Sequence, residues 1–436
     1  MSPTSLGASG PDSDRPSNPP DAAPRLGLGP WYVLFVLATI YALNYMDRLA
    51  LSILLESIKR DLKLSDTQLG LLTGLAFAIF YSIVGLPLAR YADRASRTKL
   101  LTICTILWSI MTSLTGLASS FVTLALARVG VGVGEAGCVP SAYSLIGDIF
   151  PRHRRLLAIT LFHSGATVGS SAGLMLVGLL GDRFGWRISL VCIGLAGLPI
   201  ALLFIATVRE PVRTAGQQGR PTEPALVAVT ALLRRPAFRH VLLGYSLASA
   251  CTLGLTPWVP TFLMRSFDMG MAEVGLWSGL ASGLGGIPGL IMGGVIASWL
   301  GRRDLRWELW LPALFFGAAT PLYVCMFLSP TAWLAIVLKL AASMLAAAGS
   351  GLALGASQSF AEPHRRATAV SLLLFLSTLL GAGTGPFLIG MISDLLKASL
   401  GQESLRYALL FSCVLLAWSA IHFFIAARYT MQDRVD

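Results

Sequence analysis

Asp47 and Arg48 stand side by side near the middle of an apolar run from Trp31 to Leu55. Farther along, Arg128 and Glu135 lie seven residues apart in a second apolar stretch, and Lys339 is the strong charge inside a third. Near the centre of a bilayer helix, Asp or Arg costs roughly 2.5–3.5 kcal/mol on insertion scales. Charges kept at that cost face one another or a water-filled path, and mark proton or substrate routes. An acid that alternates between a cationic partner and an apolar surrounding changes its proton affinity, since the cation lowers its pKa and desolvation raises it. Coupling a proton to a conformational change needs an acid of that kind. A charged pair that only ties helices together is the plainer explanation, for Glu135 in particular.

The elements carrying these residues must cross a membrane. Of 436 residues, 55% are hydrophobic and 13% charged, with a mean hydropathy of +0.70. A soluble domain carries about 25% charged residues. Twelve stretches are long enough for the ~20 residues of a spanning helix: 31–55, 67–89, 100–119, 121–150, 156–181, 188–208, 238–264, 273–300, 308–328, 332–360, 367–396 and 405–427. The fold class expected is therefore an all-α membrane protein.

Basic residues set the orientation. The loops after the even-numbered spans, with the C-terminal tail, hold 20 of the 33 Lys and Arg, against eight in the opposite loops. Both ends are then cytoplasmic, and the net charge of +11 reflects this bias rather than nucleic-acid binding. Residues 1–30, rich in Pro, Ser, Gly and Asp, read as a disordered tail with no cleaved signal peptide. The six cysteines fall inside spans without metal-type spacing, so they read as small buried hydrophobes. Arginine outnumbers lysine 28 to 5, which points to a bacterial inner membrane.

Helical rise places Asp47 and Arg128 at a similar depth, ~10–12 Å below the outer surface. An Asp47–Arg128 ion pair is feasible, and Glu135, near the midplane, is within reach of Arg48. Gly130, Gly132, Gly134 and Gly137 thin the fourth span so that a neighbour can approach closely. The literal Gly132-x-Gly134-x-x-Gly137 is no dinucleotide fingerprint, because no strand precedes it. No Lys is followed by Ser or Thr, which excludes a Walker A loop. No bound cofactor or metal is expected.

The chain repeats itself at an offset of 211. His153-Arg154-Arg155 matches His364-Arg365-Arg366, and Ala89-x-x-x-Asp93-Arg94-x-Ser96-Arg97 parallels Gly294-x-x-x-Ser298-x-x-Gly301-Arg302-Arg303. Two six-span bundles follow, 31–208 and 238–428, joined by a cytoplasmic loop at 209–237 and ended by a tail at 429–436. Transporters of this build place their site between the halves and alternate access by rocking. The same offset maps Arg128 onto Lys339, whereas Glu135 maps onto Ala346. The first half reads as the coupling half.

The loop pattern around Asp93 resembles the signature of the major facilitator superfamily, with Ala89 and Ser96 in place of its two glycines. Arg128-x-x-x-Gly132-x-Gly134 looks like that superfamily's second signature. Asn44-Tyr45-Met46-Asp47-Arg48, Gly132-Val133-Gly134-Glu135-Ala136 and Asp148-Ile149-Phe150 with Arg154-Arg155 are similar to its spinster-type branch. The resemblance implies a proton-coupled transporter of an amphipathic lipid, such as a lysophospholipid or sphingosine phosphate, driven by the proton gradient. It implies coupling roles for Asp47 and Glu135, with Arg48 and Arg128 as partners. It also implies that the Asp93-Arg94 loop, with Arg97, latches the halves on the cytoplasmic side, and Asp148 is a candidate for the same network.

Lys339 is a candidate anchor for an anionic head group, or else a lysine snorkelling to the interface. Phe77, Phe80, Tyr81, Trp258, Trp277 and Phe375 are candidates for the cavity wall, or else lipid-facing and core aromatics. His163 and Gln358 are lone polar residues inside spans. A proton-linked carrier of small organic anions or drugs is the alternative within transport. An intramembrane enzyme is disfavoured, since no span holds two histidines and no Gly-x-Gly-Asp occurs. A monomer is expected.

Overall fold

The computed structural model describes residues 29–92, 94–211 and 223–435, and every regular element among them is helical. Lipid offers backbone groups no partner, so the chain satisfies them within each span. Helix α1 is Pro30–Leu62, α2 Asp66–Ala92, α3 Arg97–Gly116 and α4 Phe121–Ile149. The run Arg152–Thr207 reverses at Gly185, whose φ of +78° suits glycine, giving α5 (152–184) and α6 (186–207). Helix α7 is Pro236–Leu255 continued by Trp258–Phe267 across a 47° bend. Then follow α8 (Met271–Leu300), α9 (Trp307–Phe327) and α10 (Ala332–Ser359). Helix α11 covers 366–400 and α12 is Ser404–Arg428. The twelve spans expected from hydropathy are all present. Among the described residues the 209–237 link contains one short helix, Ala225–Leu233.

The helix starts follow from their caps. Ser65 with Gln68, and Ser120 with Thr123, close capping boxes at the heads of α2 and α4. Ser96 and Thr331 cap α3 and α10. Besides the bent α7 and the interruption of α4 at Ala136 and Gly137, two spans depart from the regular helices the hydropathy implied. Helix α2 breaks at Gly74, where a Cβ would lie 2.2 Å from the Gly383 carbonyl oxygen. Helix α11 contains a π-helical segment, Ser377–Thr384, opposite that break. π-Segments widen a helix locally and recur at functional sites.

Helices α1 and α5 pack in parallel, with Gly165, Gly169 and Gly173 against Ala38, Ala42 and Met46. The halves meet through α2 on α11 and α5 on α8. Among the described residues, their apolar core is continuous only at the end opposite the basic loops. There Leu51, Leu54, Leu69 and Leu72 share one cluster with Trp258, Phe262 and Ile389. Toward the basic side, Tyr41, Phe77, Trp108, Ile146 and Phe162 form a separate cluster within the first half.

Polar contacts repeat this asymmetry. Arg265 of α7 holds Glu56 at 2.7 Å and both oxygens of Asp66 at 2.8 and 2.9 Å. Asp394 of α11 accepts from the Asp66 and Thr67 N–H groups at 3.1 and 2.7 Å, capping the head of α2 from the other half. Among the described residues, every side-chain hydrogen bond between the two bundles lies at this outer end. The described residues are sealed on the outer side and parted on the basic side.

Candidate functional site

Between the halves lies a cavity of about 560 Å³. Tyr45, Arg48, Phe77 and Arg128 line one wall, while Leu253, Leu290 and Leu374 belong to the opposite one. Hydroxyls from Ser52, Thr73, Thr167, Ser282, Ser377 and Thr378 are dispersed around it. Among the described residues, the formal charge on its lining comes from the first half alone.

The charged residues on this wall belong to a buried cluster. Arg48 Nε donates to Glu135 Oε2 at 2.5 Å, and Glu135 is fully buried. The Arg48 guanidinium also lies 4.9 Å from the Phe77 ring centre and 4.8 Å from that of Tyr81. Such cation–π contacts partly replace lost hydration. Arg128 Nη1 is 3.9 Å from Asp47 Oδ1, both being nearly inaccessible. Asp47 has a closer partner in the Thr112 hydroxyl of α3, which donates to its Oδ2. Glycines in α4 permit the assembly: a Cβ at Gly134 would meet the Trp108 backbone N at 2.7 Å, and one at Gly132 the Phe77 carbonyl oxygen at 2.9 Å.

Satisfaction within the cluster is incomplete. Asp47 Oδ1, Glu135 Oε1, Arg128 Nε and Asn44 Nδ2 are shut off from solvent without a hydrogen bond. A buried carboxylate with an unbonded oxygen is costly to keep charged, so protonation or a change of partner relieves it. Two acids and two arginines arranged in this way can exchange partners.

The sequence from 37 to 386 matches the family model described as Major Facilitator Superfamily. The chain belongs to that superfamily. It is 36% identical over 406 residues to an MFS-type efflux pump of Mycolicibacterium smegmatis, covering 92% of this chain and 93% of the relative. It is 27% identical to a sphingosine-1-phosphate transporter of Danio rerio, covering 90% and 83%. Its fold superposes with a TM-score of 0.86 and 31% identity on a bacterial homologue of the human lysosomal transporter Spinster, solved inward-facing and unoccupied, covering 93% and 98%. The chain is thus a spinster-like, multi-pass membrane transporter of the superfamily and not an enzyme. Its outer seal and inner parting agree with the inward-facing state named for that homologue.

The superfamily frame separates the candidate residues. Asp47, Arg48, Arg128, Glu135, Phe77 and Tyr81 come together in one cluster, but Tyr81 packs on Arg48 and is not part of the cavity lining. Four others are placed elsewhere. Trp258 is fully buried at the outer seam, its Nε1 donating to the Pro386 carbonyl at 2.9 Å, because α7 bends just before it. Trp277 packs edge-on against Trp333, and Phe375 is half exposed and off the cavity lining. Lys339 reaches the Ser278 carbonyl of α8 at 3.5 Å and does not line the cavity. The offset that equates it with Arg128 holds in depth, but its side chain turns to the α8–α10 contact.

Asp93 lies outside the described residues, and Arg94 is exposed. Arg97 is buried and bonded to Asp148, to Glu210 at 2.7 Å and to the Ser144 hydroxyl at 3.1 Å. These partners belong to the first half and the start of the link, so Arg97 does not reach the second half in this inward-facing arrangement. Burial alone would raise the Glu210 carboxyl, but donation by the Thr98 N–H, Arg97, Ser96 and the Thr98 hydroxyl outweighs it and holds the pKa at about 2.

Thr112 and the outer Arg265–Asp66–Asp394 network escape a search for charges within spans. A signal for Thr112 exists. Thr98, Thr102, Thr105, Ser109 and Thr112 are all buried and repeat at helical spacing on one face of α3.

Proposed function

We propose that this transporter couples proton movement to alternating access, and that its substrate is an amphipathic lipid carrying an anionic head group. The carrying observation is the asymmetry of the central cavity, with Arg48 and Arg128 on one wall and leucines of α7, α8 and α11 on the other. An anionic head group would lie toward the arginines and an acyl chain along the leucines, toward the parted basic side. The buried Arg48–Glu135 and Arg128–Asp47 pairs supply acids whose partners differ between states, as proton coupling requires. A head group that binds Arg48 competes with Glu135 for the guanidinium. Loss of that partner favours protonation of Glu135, which links substrate and proton. The relative named for sphingosine-1-phosphate supports this substrate class.

The test is transport in proteoliposomes under an imposed pH gradient. A long-chain lysophospholipid or sphingosine phosphate is expected to move in proportion to the gradient, and a protonophore to abolish the movement. Transport insensitive to both gradient and protonophore would remove the coupling half of the reading. The efflux-pump relative favours a second reading, a proton-linked carrier of organic anions or drugs. Gradient-driven movement of small hydrophilic acids, with lysophospholipid inert, would select it.

A further inference from the structure

A second cavity, of about 350 Å³, lies at the basic-side end of the second half, away from the central one. Gly355, Gln358 and Ser359 at the end of α10, Arg366 at the head of α11, and Arg434 and Val435 of the C-terminal segment line it. The volume greatly exceeds the ~30 Å³ share of one water. Its C-terminal wall is tied down. The Val435 N–H donates to the Ser359 carbonyl at 3.0 Å, and Arg434 pairs with Glu308 at 3.1 Å. Next to them, Asp433 accepts from the Ala237 N–H at 2.7 Å.

The internal repeat sets apart one residue of this lining. Arg366 is the equivalent of Arg155, which donates from Nη2 to the Gly147 carbonyl at 2.6 Å and so closes the end of α4. The equivalent of Gly147 is Gln358, and its carbonyl is already taken by the backbone N–H groups of Phe360 and Ala361. The Arg366 side chain is left without a hydrogen bond or ion pair among the described residues, and its Nε is closed off from solvent. The adjacent acids are engaged: Glu223 and Glu362 pair with Arg365 at 2.6 and 3.2 Å, and Glu362 also with Arg235. Glu308 partly offsets Arg434, leaving the uncompensated charge on Arg366.

A guanidinium suits planar, multi-point recognition of phosphate oxygens, and the Gln358 amide adds donors on the same wall. Basic pockets between helices on the cytoplasmic side are suited to phosphate head groups of the adjoining leaflet. We propose that the Arg366–Arg434–Gln358 pocket binds a phosphate group, supplied by an anionic phospholipid of the inner leaflet or by free phosphate, separately from the transported substrate. Occupancy would tie α10, α11 and the C-terminal segment together at the end of the second half that opens.

The full chain, purified in neutral detergent, is tested with two probes. Native mass spectrometry compares dioleoylphosphatidylglycerol with dioleoylphosphatidylcholine, and thermal unfolding compares sodium phosphate with sodium chloride at equal ionic strength. Wild-type protein is expected to favour phosphatidylglycerol, and Arg366→Gln to reduce that binding about tenfold, as for loss of a charge-assisted contact. Arg303→Gln, an exposed basic residue on the same side, is expected to leave it unchanged. Stabilisation by phosphate that Arg366→Gln removes supports the site with the free anion as ligand; a response to the lipid alone supports it with the head group as ligand. If Arg366→Gln does not fold, Gln358→Ala carries the test with an expected loss of about threefold. Equal binding of the two lipids without a phosphate response, or equal losses in Arg366→Gln and Arg303→Gln, would overturn the proposal.

Discussion

Glu135 holds Arg48 through one carboxylate oxygen and leaves the other unbonded in a site without solvent. A glutamine keeps the size and one acceptor but cannot gain or lose charge. Glu135→Gln and Asp47→Asn are therefore expected to lower gradient-driven accumulation at least tenfold while counterflow exchange persists. Full uphill transport by either variant would exclude that acid from coupling. Thr112→Val deprives Asp47 of its nearest donor and is expected to slow uphill transport about tenfold or more, in line with the ~1.5–3 kcal/mol of a hydrogen bond to a charged group. Glu210 gives a pH test outside the membrane. Its folded pKa, about 2, lies below the ordinary 4.5, so its contribution is full above 4.5 and fades as pH falls toward 2. The difference in thermal midpoint between wild type and Glu210→Gln is expected to be largest near neutral pH and to shrink with acidification.

Among the helices, the outer seam depends on backbone contact between α2 and α11, with ionic contacts around it. A Cβ at Gly70 would come within 2.3 Å of the Pro386 carbonyl oxygen, and at Gly74 within 2.2 Å of that of Gly383. Gly74→Ala cannot be accommodated without moving one helix, so it is expected to weaken outer closure. Arg265→Gln removes the bonds that join α7 to Glu56 and Asp66 and acts in the same direction. Both are expected to raise labelling of a cysteine placed at Thr67 severalfold, in a background lacking the exposed Cys192 and Cys325. Unchanged labelling in both variants would show that the apolar cluster alone closes the outer side.

For the whole transporter, the cavity asymmetry predicts how affinity varies with substrate. Each buried methylene contributes roughly 0.8 kcal/mol, about fourfold in affinity at 1.4 kcal/mol per factor of ten. Binding is expected to climb with acyl length until the apolar wall is covered, and Arg48→Ala to weaken anionic head groups more than zwitterionic ones. Lys339→Ala is expected to leave substrate affinity within about twofold, because its side chain faces α8 and not the cavity. A flat response to acyl length measured by ligand binding would contradict the lipid reading.

The twelve crossings, the two-bundle repeat and the unusual charges at Asp47, Arg48, Arg128 and Glu135 were legible in the sequence. Their physical basis is local: hydropathy, charge bias and helical rise act along a single segment or between equivalent ones. Side-chain direction was not legible, since it depends on which neighbours a helix meets. Arg128 and Lys339 occupy equivalent positions, yet one turns toward Asp47 and the other toward Ser278. Trp258 joined the core instead of the cavity wall because α7 bends at Thr256 and Pro257. The outer Arg265–Asp66–Asp394 network joins residues far apart in sequence at helix ends that read as ordinary loop charges. Only the packing of one half against the other brought them together, and with them decided which side of the transporter is closed.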